Sequence, residues 1–226
     1  MTDLEDDKLS LLTGQDDIPH LTTGRFLESE HSMSDGLENI SELVSRLRFA
    51  IKDGRIWLDT QRVLLIHLST MTSLRKELIT TLGAKKAKGF LIRMGYTSGI
   101  RDAALARKLR PHHSTRDAYL IGPQLRVLQG ISRSKPSILE IDVNTGHFFS
   151  EFIVTESFEA DAHISTFGMS NEASCWLQTG YACGFSSAFM GIPIIHREVE
   201  CRSTGGRYCR FVGKPADQWQ DSDDDD

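Results

Sequence analysis

All four cysteines of this 226-residue chain lie within a stretch of 35 residues, at Cys175, Cys183, Cys201 and Cys209. Four cysteines are too few for a disulfide scaffold in a chain of this length, which favours a reduced, cytosolic protein. Buried core thiols are one interpretation of the cluster. The close spacing, with a turn at Gly205-Gly206, favours a metal site instead, and zinc is the usual metal for thiolate ligands in a reduced protein.

The spacing of the cysteines limits how they can bind one metal ion. Residues 171–190 have the pattern of an α-helix, so Cys175 and Cys183 would lie roughly 12 Å apart along its axis. Two sulfurs bound to one zinc ion lie at most about 4.6 Å apart, so only one of these two can join the other cysteines. The fourth ligand is expected on the following strand, at His196, Glu198 or Glu200. Three thiolates and a carboxylate would exclude water, which makes the metal structural.

Charge divides the chain into acidic ends and a basic middle. Residues 1–33 and residues 216–226 each carry a net charge of −6, whereas residues 34–215 carry +7. Acidic, low-complexity ends are typical of solvated tails, which predicts a mobile acidic arm at 1–39 and an acidic tail or linker at 214–226. The N-terminus lacks the pattern of a signal peptide, and no apolar run is long enough to cross a membrane. We therefore expect a cytoplasmic protein.

The first half of the chain predicts a hairpin followed by two long helices. Asp53-Gly54 separates two runs rich in Phe, Ile and Trp, which is typical of a β-hairpin turn. From residue 59 onward the apolar residues follow a helical period, which predicts helices over 59–82 and 84–109. Glycine is unfavourable inside a helix, so interior glycines indicate that another backbone packs closely against the second helix. The three interior glycines are Gly89, Gly95 and Gly99.

The second half of the chain predicts strands and one further helix. Apolar runs and alternation predict strands within 118–122, 137–143, 147–166, 193–200 and 207–213, and the helix at 171–190 lies between the third and the fourth. Together these elements predict an α+β fold in which helices pack on a mainly antiparallel sheet.

Sequence patterns of catalysis and of nucleic-acid binding are missing. The chain contains no P-loop, no GxGxxG motif and no GxSxG motif. Ten basic residues lie between Arg75 and Arg110, but no recognition helix or interleaved aromatic residues accompany them. These observations favour a binding module over an enzyme, and a chain that does not bind nucleic acid directly.

Four longer stretches carry a more specific signal, and they read FLIRMGYTSGIRDAALARKLRP, GPQL, CWLQTGYACGFSSAFMG and EVECRSTGGRYCRFVGKPADQW. In this order they resemble the N-terminal sensory domain of phenol- and xylene-responsive transcription activators of the sigma-54-dependent class. The resemblance runs from about Leu47 to Trp219. It implies a dimerisation segment at 40–58, the helical and strand part of an aromatic sensor at 59–135, and a zinc-binding, vinyl-reductase-like module at 136–213.

The resemblance also implies a function. In such proteins this domain binds a small aromatic effector and restrains a following ATPase domain, which precedes a DNA-binding domain; neither is expected in this chain. It implies a homodimer and one structural zinc ion per chain, held by the residues that match the family's ligands, Cys175, Glu198, Cys201 and Cys209. Cys183 is then a core thiol. Rival functions are a zinc-stabilised oligomerisation scaffold and an enzyme of the vinyl-reductase type.

The effector pocket departs from that of the family's phenol sensors. Those sensors hold the phenol hydroxyl with a His after the GPQL glutamine and a Trp before the SFE motif, whereas the matching residues here are Arg126 and Val154. Three other pocket positions match Tyr119, Phe152 and His196. The loss of both anchoring groups, with more space beside a valine, implies an alkylbenzene or biaryl effector in preference to phenol.

The side chain of Arg126 has two possible settings, because an unpaired guanidinium is costly to bury. If it points into the pocket, it implies an aromatic effector with a carboxylate or phenolate, bound bidentately. If it turns to solvent, or pairs with an internal acid such as Glu159, the pocket is apolar and accepts a hydrocarbon. We expect the second arrangement.

Overall fold

A computed structural model describes residues 40–219 of the chain, and the predicted acidic arm and the last residues of the predicted tail lie outside this range. The described helices are α1 (Ile40–Ser45), α2 (Leu68–Leu82), α3 (Ala84–Leu109), α4 (Thr115–Tyr119), α5 (Ile121–Leu128), α6 (Phe158–Phe167) and α7 (Trp176–Met190). The described strands are β1 (Leu47–Ala50), β2 (Arg55–Leu58), β3 (Gln61–Val63), β4 (Arg133–Asp142), β5 (His147–Thr155), β6 (Ile194–Glu200) and β7 (Cys209–Pro215). They form the α+β fold that the sequence predicts. None of the described helices is both long and apolar enough to cross a bilayer.

The first sheet contains the predicted hairpin. Strands β1 and β2 pair antiparallel, and Gly54 closes the connection in the left-handed conformation with φ of 62°. Strand β3 then pairs with β2 and extends the sheet. The prediction of a helix from residue 59 is wrong for this stretch, because residues 61–63 pair with β2 and the helix begins at Leu68.

Helix α3 packs backbone to backbone against helix α7. A β-carbon at Gly95 or Gly99 would lie 2.0 Å or 2.3 Å from a carbonyl oxygen of α7, and one at Gly180 or Gly184 would meet α3 as closely. The close contact predicted from the glycines is therefore confirmed at two of the three positions. Gly89 takes no part in it, since a β-carbon there meets only the end of the flexible Arg93 side chain.

The stretch predicted as a strand at 118–122 is helical. Ser114 caps α4 by accepting a hydrogen bond from the backbone N–H of Asp117, and α5 follows after one residue. Its apolar residues Ile121 and Leu125 are four residues apart and fully buried on one face. A short apolar run fits a strand and a buried helix equally well, which is why the prediction is wrong.

The second sheet is antiparallel and has the strand order β4-β5-β7-β6. Alternate side chains of β5 point inward, so Phe148, Phe152 and Val154 are buried. The alternation predicted to continue through residue 162 ends earlier, because Ser157 accepts a hydrogen bond from the Ala160 N–H and starts α6. Strand β7 reaches Pro215, so the predicted acidic tail begins inside the sheet.

Helix α7 lies between α3 and the second sheet and is the centre of the core. It is apolar on all sides, as expected of a helix covered on every face. It begins at Trp176, five residues later than predicted, because Cys175 occupies the N-cap position with non-helical backbone angles. This shift places Cys175 beside β6 and β7 at one end of the helix.

Candidate functional site

Four potential metal ligands meet at the start of α7. One ligand atom from each of Cys175, Glu198, Cys201 and Cys209 can be chosen so that all four lie within 4.8 Å of one another. The three cysteines are fully buried. The Cys175 sulfur lies 3.6 Å from that of Cys209, which in turn lies 3.8 Å from that of Cys201.

Local structure brings these ligands together. Cys201 follows the end of β6 and Cys209 starts β7, and the turn between them is closed by the Gly206 N–H, which donates to the Cys201 carbonyl. Gly205 occupies the left-handed region with φ of 96°, where a side chain would be strained. Glu198 accepts a hydrogen bond of 2.9 Å from the backbone N–H of Cys175, which joins the strand to the helix.

The four groups fit a tetrahedral metal ion. Zinc–sulfur bonds of about 2.3 Å at tetrahedral angles place sulfurs about 3.8 Å apart, close to the two observed separations. Oxygen Oε1 of Glu198 is buried and has no hydrogen-bond partner. Burial and the neighbouring Cys201 raise the pKa of Glu198 to about 8, and a cation at this position would offset that effect. The cluster could therefore hold a metal ion.

The alternative ligands that spacing left open lie outside the cluster. The sulfur of Cys183 accepts a hydrogen bond of 3.2 Å from the His196 N–H within the core. The imidazole of His196 faces the other way and bonds to Ser186. Glu200 lies 3.6 Å from the guanidinium of Arg210. Only one cysteine of the α7 region therefore joins the cluster, as the rise of a helix requires, although Cys175 caps the helix and does not lie inside it.

A separate cavity lies between α4, α5, α7 and strands β5, β6 and β7. All five predicted pocket residues line it, namely Tyr119, Arg126, Phe152, Val154 and His196. Sequence reasoning missed further lining residues on α7 and β7, and these include Gln178, Tyr181, Phe185 and Phe211. Most of the wall is therefore aromatic or aliphatic, and a few polar groups interrupt it.

One polar chain in the wall runs from Tyr119 through Ser186 to His196. The Tyr119 hydroxyl lies 2.7 Å from Ser186 Oγ, which lies 2.9 Å from Nε2 of His196. Burial lowers the pKa of His196 to about 3, so the ring is neutral at physiological pH. The ring packs over Gly213, where a β-carbon would lie within 2.3 Å of it, and its Nδ1 is buried without a hydrogen-bond partner.

Arg126 is held inside the wall, and its expected position is wrong in both of its forms. The side chain is 5% exposed, and Glu159 is taken by a 2.9 Å ion pair with Arg75. The guanidinium instead stacks 4.1 Å from the ring centre of Tyr181, and its Nη1 donates to Gln129.

A buried acid balances the charge of Arg126. Asp102 accepts hydrogen bonds from Gln129 and from the Tyr181 hydroxyl, at 3.2 Å and 3.0 Å. These contacts connect the carboxylate to the guanidinium through two shared neighbours. Nitrogen Nη2 of Arg126 is buried and has no hydrogen-bond partner. One donor in the cavity wall therefore lacks an acceptor.

Comparison with known proteins places this geometry in a family. Residues 42–142 match the family profile described as activator of aromatic catabolism, and residues 154–215 match the profile of the vinyl-reductase domain. The fold matches the crystal structure of the phenol-responsive sensory domain of the transcription activator PoxR with phenol, with a TM-score of 0.81 and 42% identity over 85% of this chain and 96% of that one. The chain belongs to the family of aromatic-responsive sensory domains of transcription activators.

Full-length relatives of this sensory domain are regulators. The chain is 44% identical over 81% of its length to the transcriptional regulatory protein XylR of Pseudomonas putida, and 38% identical over 83% to the phenol regulator MopR of Acinetobacter guillouiae. It spans about a third of the length of these two curated relatives, 32% and 33% respectively. As predicted, this sensory domain is a regulatory module and not an enzyme. Its match to the vinyl-reductase domain begins at residue 154, later than the predicted boundary at 136.

Proposed function

We propose that this sensory domain binds a small aromatic effector in the cavity beside α7 and controls an ATPase domain in a longer transcription activator. The observation that carries the proposal is the cavity itself, which is walled by aromatic rings and a few polar groups in the manner of a small-molecule site. The matched PoxR structure is named as phenol-responsive and contains phenol. Effector binding acts on the output by favouring one arrangement of the domain over another.

The preferred effector in this proposal is an alkylbenzene or a biaryl, ahead of phenol. Val154 is 4% exposed and lines the cavity with a short apolar side chain that has no hydrogen-bond donor. The charge of Arg126 is already balanced by Asp102, so the cavity does not require an anionic ligand. Burial of the ring supplies most of the affinity, at about 25 cal/mol for each Å² of apolar surface.

A second effector class has a specific observation in its favour. The unpartnered Nη2 of Arg126 would gain an acceptor from an aromatic carboxylate. This class and the hydrocarbons make opposite demands on Arg126, because a hydrocarbon leaves its Nη2 without a partner.

A panel of ligands tests the effector proposal. Thermal unfolding of the zinc-loaded chain is measured with toluene, m-xylene, biphenyl, phenol and benzoate. A ligand that binds only the folded state stabilises it by about 2.7 kcal/mol at a hundredfold excess over Kd. We expect stabilisation by toluene and m-xylene that exceeds that by phenol.

Benzoate and the Arg126→Met variant decide between the two effector classes. Hydrocarbon binding that survives Arg126→Met supports the preferred class. Stabilisation by benzoate alone, lost in Arg126→Met, would replace it with the carboxylate class. No stabilisation by any of the five ligands would contradict the effector proposal and favour the scaffold.

The metal in the cysteine cluster is proposed to be one structural zinc ion per chain. Three thiolates and one carboxylate at tetrahedral distances suit zinc, and they fill the coordination shell without a position for water. Cys175, Glu198, Cys201 and Cys209 would be its ligands. When bound, the ion would supply a cross-link between the start of α7, β6 and β7.

Dimerisation through the first sheet is the remaining part of the proposal. Phe49 is 60% exposed and Ile51 is 86% exposed at the hairpin within the segment 40–58. Leu64 and Leu65, which follow the sheet, are 76% and 84% exposed. Large apolar side chains grouped on a surface in this way are typical of protein–protein contacts.

Charged substitutions at the hairpin test the dimer. The double variant Phe49→Glu with Ile51→Asp is expected to give a monomer by light scattering, whereas the wild type gives a dimer. Met169→Asp serves as the matched control, since Met169 is 61% exposed and lies outside the first sheet. An unchanged dimer in the double variant would place the interface elsewhere.

A further inference from the structure

The first turn of α7 belongs to the metal cluster and to the effector cavity at once. Cys175 caps the helix and contributes a sulfur to the cluster, and Gln178, three residues later, lines the cavity. The backbone of this turn is fixed by Glu159, which accepts hydrogen bonds of 2.9 Å from the N–H groups of Leu177 and Gln178. Glu159 is itself held by a buried ion pair with Arg75. A displacement of one end of the turn is therefore transmitted to the other.

Ser157 connects the two sites through hydrogen bonds. Its hydroxyl lies 2.7 Å from Nε2 of Gln178 and 3.1 Å from the sulfur of Cys175. It also accepts a hydrogen bond from the backbone N–H of Ala160. Ser157 and Cys175 are fully buried and Gln178 is 6% exposed, so water does not compete for these contacts.

The direction of these bonds follows from the chemistry of the donors. An amide NH₂ and a backbone N–H can only donate, so both occupy the lone pairs of the Ser157 oxygen. The single hydroxyl proton of Ser157 is then left for the sulfur of Cys175. A metal-bound thiolate is the form of cysteine that accepts such a bond. The amide of Gln178 in the cavity wall therefore orients a hydroxyl that supports a metal ligand.

We propose that the cavity wall and the metal centre are energetically coupled through Gln178 and Ser157, with Ser157 as a positioning residue for Cys175. Partners that orient a ligand typically change metal affinity 10- to 100-fold. The coupling works in both directions, so an effector that contacts Gln178 changes zinc affinity by the factor by which zinc changes effector affinity. The effector half of this inference rests on the proposed function, and the zinc half does not.

Zinc binding alone tests the coupling. The zinc dissociation constant of the full chain is measured by competition with a chromogenic chelator. We expect Ser157→Ala to weaken zinc binding about 10- to 100-fold and Ser157→Thr, which keeps the hydroxyl, to restore it. The deciding variant is Gln178→Met, which removes the amide without touching the cluster and is expected to weaken zinc binding about three- to tenfold.

The matched control is Ser132→Ala, a second buried serine of the cavity wall, which is expected to leave zinc affinity unchanged. Wild-type zinc affinity in Gln178→Met would overturn the proposal, because Ser157 would then serve the metal site alone. Wild-type affinity in Ser157→Ala would overturn it as well. Circular dichroism of each zinc-loaded variant establishes that it is folded.

Toluene supplies the second arm. Saturating toluene is expected to change the zinc dissociation constant of the wild type, and this change is expected to vanish in Gln178→Met while toluene still binds. Equal changes in both proteins would overturn the proposal. If toluene does not bind the wild type, the hydrocarbon part of the proposed function fails, and the zinc measurements on Gln178→Met still decide the coupling.

Discussion

Removal of zinc is expected to unfold the sensory domain in large part. The cluster joins the start of α7 to β6 and β7, so the ion cross-links the helix at the centre of the core to the second sheet. Binding of a structural zinc ion is worth about 10–16 kcal/mol in small zinc domains, and this is as large as the whole stability of a typical domain, about 5–15 kcal/mol. The zinc-free chain should therefore lose most of its cooperative thermal unfolding transition.

Two cysteine variants separate the metal from the core. Cys209→Ser is expected to retain almost no zinc by elemental analysis and to behave like the chelated wild type. Cys183→Ala removes a buried thiol outside the cluster and is expected to keep one zinc ion per chain. An identical unfolding curve with and without chelator, for a protein that carries zinc at the start, would contradict a structural role for the metal.

The Gly99→Ala substitution is expected to destabilise the domain by at least about 3 kcal/mol, at the upper end of the cost of overpacking. The added β-carbon would lie 2.3 Å from the Tyr181 carbonyl oxygen and 2.6 Å from the Phe185 nitrogen. Both neighbours are backbone atoms of α7, so relief requires the two helices to move apart. That movement would also disturb the cavity, since Tyr181 and Phe185 line it.

Gly89→Ala on the same helix is the control for this prediction. Its β-carbon would meet only the end of the Arg93 side chain at 3.3 Å, which can move aside. Alanine is favoured over glycine inside a helix by about 0.5–1 kcal/mol, so we expect Gly89→Ala to be neutral or stabilising. The two variants are compared by urea denaturation. Equal stabilities would mean that the close approach of α3 and α7 does not contribute to the fold.

The metal cluster could be predicted from the sequence because its geometry depends on few distances. The limit on the separation of two sulfurs excluded one cysteine of the pair Cys175 and Cys183 even though the helix was predicted to begin five residues early. The choice of Glu198 as the fourth group came from the family resemblance and not from spacing. The structure brings all four groups together.

Short apolar segments were predicted less well. Residues 118–122 and 158–162 were assigned to strands, and both are helical. Their alternation is too brief to separate a period of two from a period of 3.6. The N-caps of Ser114 and Ser157 decide both cases, and a serine before a short apolar run was a signal that could have been used.

The environment of Arg126 could not be predicted from sequence because it depends on residues far apart in the chain. Asp102 lies on α3 and Tyr181 on α7, and the fold brings both to the guanidinium through Gln129 and ring stacking. The sequence pattern around Arg126 offered only solvent or Glu159 as alternatives to the cavity. A buried network of this kind becomes visible only when the helices are placed.

Titration of toluene into the zinc-loaded chain by calorimetry, with the Val154→Trp variant alongside, tests the effector cavity most directly. Val154 points into the cavity from β5, and an indole ring there would occupy the space assigned to the effector. Ile153→Trp is the control, because adjacent residues of a strand face opposite sides of the sheet. We predict that Ile153→Trp binds toluene like the wild type and that Val154→Trp binds it at least about tenfold more weakly, a loss of about 1.4 kcal/mol. Equal affinity in Val154→Trp and the wild type would place the aromatic ligand outside this cavity and contradict the account.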